Sequence, residues 1–159
     1  MNKTKALEWF EYRDGDLYWR KSPNKKVKEG SLVKINPKNE YTQVTLHGEK
    51  WSVHRLIYLI HYGEFYGNLD HIDGNSRNNK IGNLRMASYS ENNINRKTPK
   101  SNTSGFKGVY FCKQTSKWRS SISSNGNRLR LGRFDNLEDA VNAYEKAAEK
   151  VHGNFRRTV

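Results

Sequence analysis

The stretch from Leu69 to Asn95, LDHIDGNSRNNKIGNLRMASYSENNIN, constrains this chain most. Leu69-Asp70-His71-Ile72 reads as a short strand and Asn83-Leu84-Arg85-Met86 as a second. Ser90-Glu91-Asn92-Asn93-Ile94-Asn95 reads as the first turns of a helix. A strand, a loop, a strand and a helix start in so few residues cannot bury a full core of their own. The many asparagines there answer to something other than packing. Asp70-His71 is also the chain's only adjacent carboxylate and imidazole.

A hard divalent cation such as magnesium takes oxygen ligands and keeps several waters, so one carboxylate, one amide oxygen and a substrate phosphate make an adequate site. Asp70 and Asn92 supply the two protein donors. A histidine beside such a site, with an ordinary pKa near neutrality, can accept a proton from a water attacking phosphorus. His71 is placed for that. Taken alone, an Asp-His pair is most often a surface pair; the asparagines downstream shift the reading towards chemistry. Asp73-Gly74-Asn75 is turn chemistry, since Asp and Asn bond their own backbone and Gly accepts positive φ. An EF-hand fails, because its third, sixth and twelfth loop positions would be Ile72, Asn75 and Ile81. Asn93 and Asn95 can be polar faces of the helix.

Asp70-His71, Asn83 twelve residues after the histidine and Asn92 nine further on resemble the HNH nuclease motif, the ββα-metal fold of phage and intron-associated homing endonucleases. Val53-His54-Arg55-Leu56-Ile57 and Asp73-Gly74-Asn75 with Asn78-Asn79 match the same pattern. The resemblance implies that Asp70 and Asn92 hold the metal, that His71 is the general base, and that Asn83 bonds across the two strands to fix the histidine's orientation. His54 resembles a recurrent family position, but a capping or packing role fits it equally. His47, His61 and His152 read as structural.

The chain's 159 residues suffice for one ordinary domain or two small ones. A formal charge of +13 favours a polyanionic partner. It is shared almost evenly, +6 over residues 1–98 and +7 over 99–159, so neither half is a charged tail. The single cysteine, Cys112, excludes an internal disulfide and a cysteine-built zinc site, and fits a reducing cytoplasm. No stretch approaches an apolar membrane span, and no apolar signal region follows Met1-Asn2-Lys3-Thr4-Lys5.

Upstream, Ala6 to Tyr12 reads as a short helix, and Asp14-Gly15 turns the chain into a strand at Leu17-Tyr18-Trp19. Lys21 to Lys28 is a basic loop, either solvated surface or a phosphate contact. Tyr41 to Leu46, a turn over His47 to Lys50, and Trp51-Ser52-Val53 form a hairpin. The helix Arg55 to Tyr62 ends at Gly63. This hairpin and helix would lend the metal motif its core.

Arg96 to Gly105 is basic and lacks a hydrophobic period, which marks a boundary with a linker at 99–105. Beyond it, Lys107 to Phe111, Lys117 to Ile122 and Arg128 to Phe134 read as three strands, the last two joined at Asn125-Gly126. In the third strand Arg128 and Arg130 should project from one face while Leu129 and Leu131 enter the core. Asn136 caps a helix with apolar residues at helical spacing from Leu137 to Val151. A thin sheet backed by one helix leaves a basic face that fits a DNA groove, or merely solubilises a small domain. Tyr110 and Trp118 serve either that face or the packing.

Gly108-Val109, Lys117-Trp118, Leu131-Gly132-Arg133-Phe134, Glu138-Asp139-Ala140, Ala143-Tyr144 and Ala147-Ala148 followed by Gly153 resemble the Apetala and ethylene-response-factor DNA-binding domain. That resemblance implies DNA contacts at Lys107, Tyr110, Trp118, Arg119, Arg128 and Arg130. The plant domains typically carry arginine where Tyr110 stands and tryptophan where Arg130 stands, so sequence preference does not transfer.

The expected chain is α+β. Residues 1–98 hold a β-hairpin and helix supporting the ββα-metal motif at 69–95, and residues 106–159 a three-stranded antiparallel sheet on one helix. The resemblances imply a metal-dependent endonuclease of the homing or phage type acting on double-stranded DNA. It would use magnesium, or manganese, and no zinc, and leave 5′-phosphate and 3′-hydroxyl ends. One motif gives one active site, so a monomer would nick and a transient dimer on DNA would cut both strands. The expected setting is the cytoplasm of a bacterial host, in a phage- or intron-encoded protein, with no membrane partner. A non-catalytic sequence-specific DNA-binding regulator and a nuclease directed to RNA or branched structures stay open as alternatives.

Overall fold

The computed structural model describes residues 1–155 apart from Lys97, Lys100, Asn125 and the side chain of Asn154. Two lysines of the basic linker and the first residue of the Asn125-Gly126 turn thus lie outside the described residues. The fold is α+β, in two compact units, Met1–Tyr89 and Ser90–Val159. Among the described residues no helix is long and apolar enough to cross a membrane.

In the first unit Asn2 caps helix α1 (Lys3–Trp9), its side chain accepting from the Lys5 N–H. The sequence reading carries this helix on to Tyr12. Instead the chain leaves it at Phe10 as strand β1 (Phe10–Arg13), paired antiparallel with β2 (Asp16–Trp19). Burial decides the matter: Phe10 is fully buried against Trp19, with ring centroids 4.9 Å apart. Asp14 and Gly15 join the strands at φ 44° and 100°, the doubly positive turn whose twist suits a hairpin. His47 and Gly48, at 51° and 82°, do the same between β3 (Gln43–Leu46) and β4 (Glu49–Ser52). Glu49 and Lys50, read as turn, are therefore strand.

Helix α2 (Val53–Tyr62) follows at once and stops at Gly63, whose φ of 87° is the glycine-favoured conformation. Leu56 and Ile57 of α2 meet Phe10, Leu17, Val44 and Leu46 in the core. Strands β5 (Asn68–His71) and β6 (Leu84–Ala87) pair antiparallel, with a 3₁₀ turn at Ile81–Asn83 leading into β6. Leu84 belongs to the same core. That is how the asparagine-rich stretch obtains the hydrophobic support it cannot build alone. Helix α3 (Tyr89–Asn95) opens at the boundary of the units.

In the second unit, part of the stretch read as linker is folded. The Asn102 side chain donates to the Phe106 carbonyl and accepts from the Ser104 N–H, and Ser104 Oγ donates to the Val109 carbonyl. Strands β7 (Val109–Cys112), β8 (Lys117–Ser124) and β9 (Asn127–Phe134) form an antiparallel sheet in that order. Helix α4 (Leu137–His152), capped by the Asn136 side chain, packs on it through buried Ala140 and Ala148. Gly108 lies where a Cβ would collide with the Ser121 carbonyl and the Tyr144 ring, at a φ of 66°. One expectation fails here. Leu129 shares the face of buried Ile122 but is 57% exposed, because it lies on the edge strand β9.

Candidate active site and nucleic-acid face

Strand β5 ends on the two residues of greatest chemical interest, and both are buried: Asp70 is 5% and His71 4% exposed. The β5–β6 register sets Asp70 opposite Arg85 and His71 opposite Leu84. Arg85 Nε and Nη2 both donate to Asp70 Oδ2, at 2.9 and 2.8 Å. The carboxylate expected to hold a cation is thus gripped by a guanidinium that sequence reasoning passed over.

The imidazole of His71 lies among aromatic rings from upstream in the first unit. His54, on α2, meets it edge-on at 5.2 Å between centroids, and Tyr41, ahead of β3, lies 6.0 Å away. Its Nε2 is 3.0 Å from Oδ1 of Asn79, itself buried. An amide oxygen only accepts, so Nε2 is the donor in this bond.

Asn83 works at one remove. Its side chain accepts from the Asp73 N–H and donates to Asp73 Oδ1 and the Asn78 carbonyl, while its backbone carbonyl accepts from the Ile72 N–H. Asn83 thus bonds across the two strands, to Ile72 and Asp73, and braces the loop that carries Asn79, whose side chain meets the ring. Burial alone would raise the Asp73 carboxyl, but the Asn75 N–H and the Asn78 and Asn83 amides outweigh it and hold Asp73 below its ordinary pKa. Arg77 adds a clamp, its Nη2 donating to the Asn39 carbonyl at 2.6 Å, two residues before Tyr41.

Asn92 lies on α3, at the start of the second unit. One carboxylate and one amide are the oxygen donors a hard divalent cation takes, and the neighbouring imidazole nitrogen Nε2 is committed to Asn79. By donor type alone, a carboxylate and an amide oxygen suit such an ion. His54 is driven the other way from a charged role: burial first, then His71 and Arg55, lower its pKa to about 3, so it is neutral.

On the sheet of the second unit, the register brings Tyr110, Arg119, Arg128 and Arg130 to one face. They line a cleft of about 370 Å³ together with Arg133. Arg128 donates from Nε and Nη2 to Ser121 Oγ and stands 5.8 Å over the Tyr110 ring. Arg133 was missed in the sequence because strict alternation from Arg130 points it away. The irregularity between Ser120 and Ser121, opposite Gly132 at φ 147°, resets the alternation and makes Arg133 the partner of Arg119. A glycine inside a strand is the signal that could have found it. Trp118 is not with this group. It pairs with Phe111 and meets its ring edge-on at 5.1 Å, on the sheet face opposite Arg119. Lys107 donates to the Ile94 carbonyl near the end of α3.

Residues 52–94 match the family model described as HNH endonuclease, and residues 104–154 that of the AP2 domain. The chain is 43% identical to Protein 3.8 of Escherichia phage T7 over 89 residues, which cover 56% of this chain and 73% of that protein. It is 34% identical over 109 residues to an uncharacterized HNH endonuclease of Acanthamoeba polyphaga mimivirus, covering 67% of this chain and 56% of the relative. An AP2-like ethylene-responsive transcription factor of Arabidopsis thaliana is 40% identical over 58 residues, covering 36% of this chain and only 12% of the plant protein. No solved structure matches. The chain therefore belongs to the family of Protein 3.8 of phage T7, and it carries an HNH endonuclease domain followed by an AP2 domain.

Proposed function

We propose that this chain is a metal-dependent endonuclease that cuts double-stranded DNA at a recognised site, with cleavage in the HNH endonuclease domain and recognition in the AP2 domain. The observation that carries the reading is the orientation of His71. The ring, fixed through Nε2 by Asn79 and set beside Asp70 at the end of β5, is the base that takes a proton from water. Asp70 and Asn92 would hold the ion, and a divalent cation there, magnesium or manganese, supplies positive charge that offsets the negative charge developing towards the leaving 3′ oxygen. The attack leaves a 5′-phosphate and a 3′-hydroxyl. Tyr110, Arg119, Arg128, Arg130 and Arg133 meet the duplex, and the buried Nε of Arg119, unpartnered among the described residues, is a donor that a phosphate oxygen would satisfy. Similarity to a phage protein supports action in a bacterial host cell.

The test is incubation of supercoiled plasmid with wild type and His71→Ala, with magnesium or with chelator. Nicked or linear DNA should appear only with the intact histidine and the metal. Equal cutting by His71→Ala would refute the assignment of the base. Site-specific binding without cutting under every condition would leave the non-catalytic regulator, and preference for RNA or branched DNA the structure-directed nuclease.

A further inference from the structure

Arg85 and a cation would draw on the same carboxylate. The guanidinium takes Asp70 Oδ2 with two of its N–H groups, from the position directly opposite on the neighbouring strand. Both side chains are enclosed, that of Asp70 6% and that of Arg85 16% exposed. In so dry a setting like charges repel strongly, so a guanidinium and a divalent ion do not share one buried carboxylate oxygen. Arginine's planar fork also fits phosphate as well as carboxylate. DNA binding would bring a phosphate to this end of β5, beside His71.

We propose that Arg85 is a phosphate-binding residue stored on Asp70, so that the carboxylate is offered to a cation only when DNA draws the guanidinium away. This rests on the nuclease reading and adds a regulation to it. In the free protein Arg85 competes for the metal seat, and cation affinity is low. On DNA the guanidinium bonds phosphate and Asp70 is released, so DNA raises cation affinity. By linkage the cation raises DNA affinity by the same factor. Cleavage away from DNA is pre-empted, because the site is completed by the substrate itself.

The experiment is a calorimetric Mn²⁺ titration of the full chain, with and without a short duplex, in a His71→Ala background that keeps the duplex uncut. For the Arg85-intact protein the duplex should tighten Mn²⁺ binding roughly tenfold, within the usual range of such couplings. Arg85→Gln should bind Mn²⁺ several-fold tighter than its parent without DNA and lose most of the duplex-induced gain. An Arg85→Gln affinity without DNA that is unchanged or weaker overturns the proposal. A second measurement needs no substitution at the pair: the ¹⁵N resonance of Arg85 Nε should shift when duplex is added without metal, and a resonance indifferent to DNA also overturns it. Asp70→Asn separates the two readings. Mn²⁺ binding undiminished in that variant would take down the metal site itself, whereas an unaltered affinity in Arg85→Gln alone would take down only the storage of Arg85.

Discussion

Acidification should destabilise the first unit through His54. This ring is 8% exposed, 5.1 Å from Tyr41 and 5.2 Å from His71 between centroids, and its pKa is lowered from 6.5 to about 3. In the unfolded chain it titrates near its ordinary value. Between those two values the unfolded state holds a proton that the native state does not, so the contribution is complete above about pH 6.5 and is lost progressively as pH falls towards about 3. Each pH unit within that window costs about 1.4 kcal/mol, so going from neutral pH to about pH 5 removes about 2 kcal/mol through this one residue. The assay is urea denaturation across that range, followed by tryptophan fluorescence. Trp9, Trp19 and Trp51 all report on the first unit. His54→Phe keeps a ring between Tyr41 and His71 but cannot ionise. Its stability should fall by about 2 kcal/mol less than wild type over the same interval, and other titrating groups cancel in the comparison. Parallel pH profiles for the two proteins would refute the argument.

Two further perturbations test the second unit. Arg133→Ala should weaken duplex binding and lower the slope of log affinity against log salt by about one, as for loss of one phosphate contact; fluorescence anisotropy at several salt concentrations measures it, and an unchanged slope would remove Arg133 from the DNA face. Gly108→Ala should destabilise this unit by more than about 1 kcal/mol, since it adds a Cβ against the Ser121 carbonyl and the Tyr144 ring at positive φ. Thermal melting checks it, and an unaltered melting temperature would refute the close approach of α4.

Much was legible in the sequence because it is local. The hairpin turns at Asp14-Gly15 and His47-Gly48, the stop of α2 at Gly63 and the cap of α4 at Asn136 are each set by residues within a few positions of one another. The spacing of Asp70, His71, Asn83 and Asn92 pointed to the stretch that matches the HNH endonuclease model, and the periodicity after Gly105 marked a sheet backed by a helix. Two of the errors of local reading are instructive. Helix α1 yields at Phe10 because that ring is buried against Trp19, and Leu129 stays outside because its strand is at the sheet edge; neither partner nor edge lies within a short window.

The sequence by itself determined which chemical groups are present and how far apart they lie along the chain: a carboxylate beside an imidazole, amides at fixed spacing, and a basic strand. Only the tertiary structure decided whom those groups meet. It brought Asn79 to the histidine, set Arg85 on Asp70, placed the His54 and Tyr41 rings beside His71, and turned Arg133 onto the arginine face. The reason is physical. Strand register, a one-residue bulge and loop closure fix contacts between positions that are distant in the chain, and a shift of a single residue in any of them sends a side chain to the opposite face.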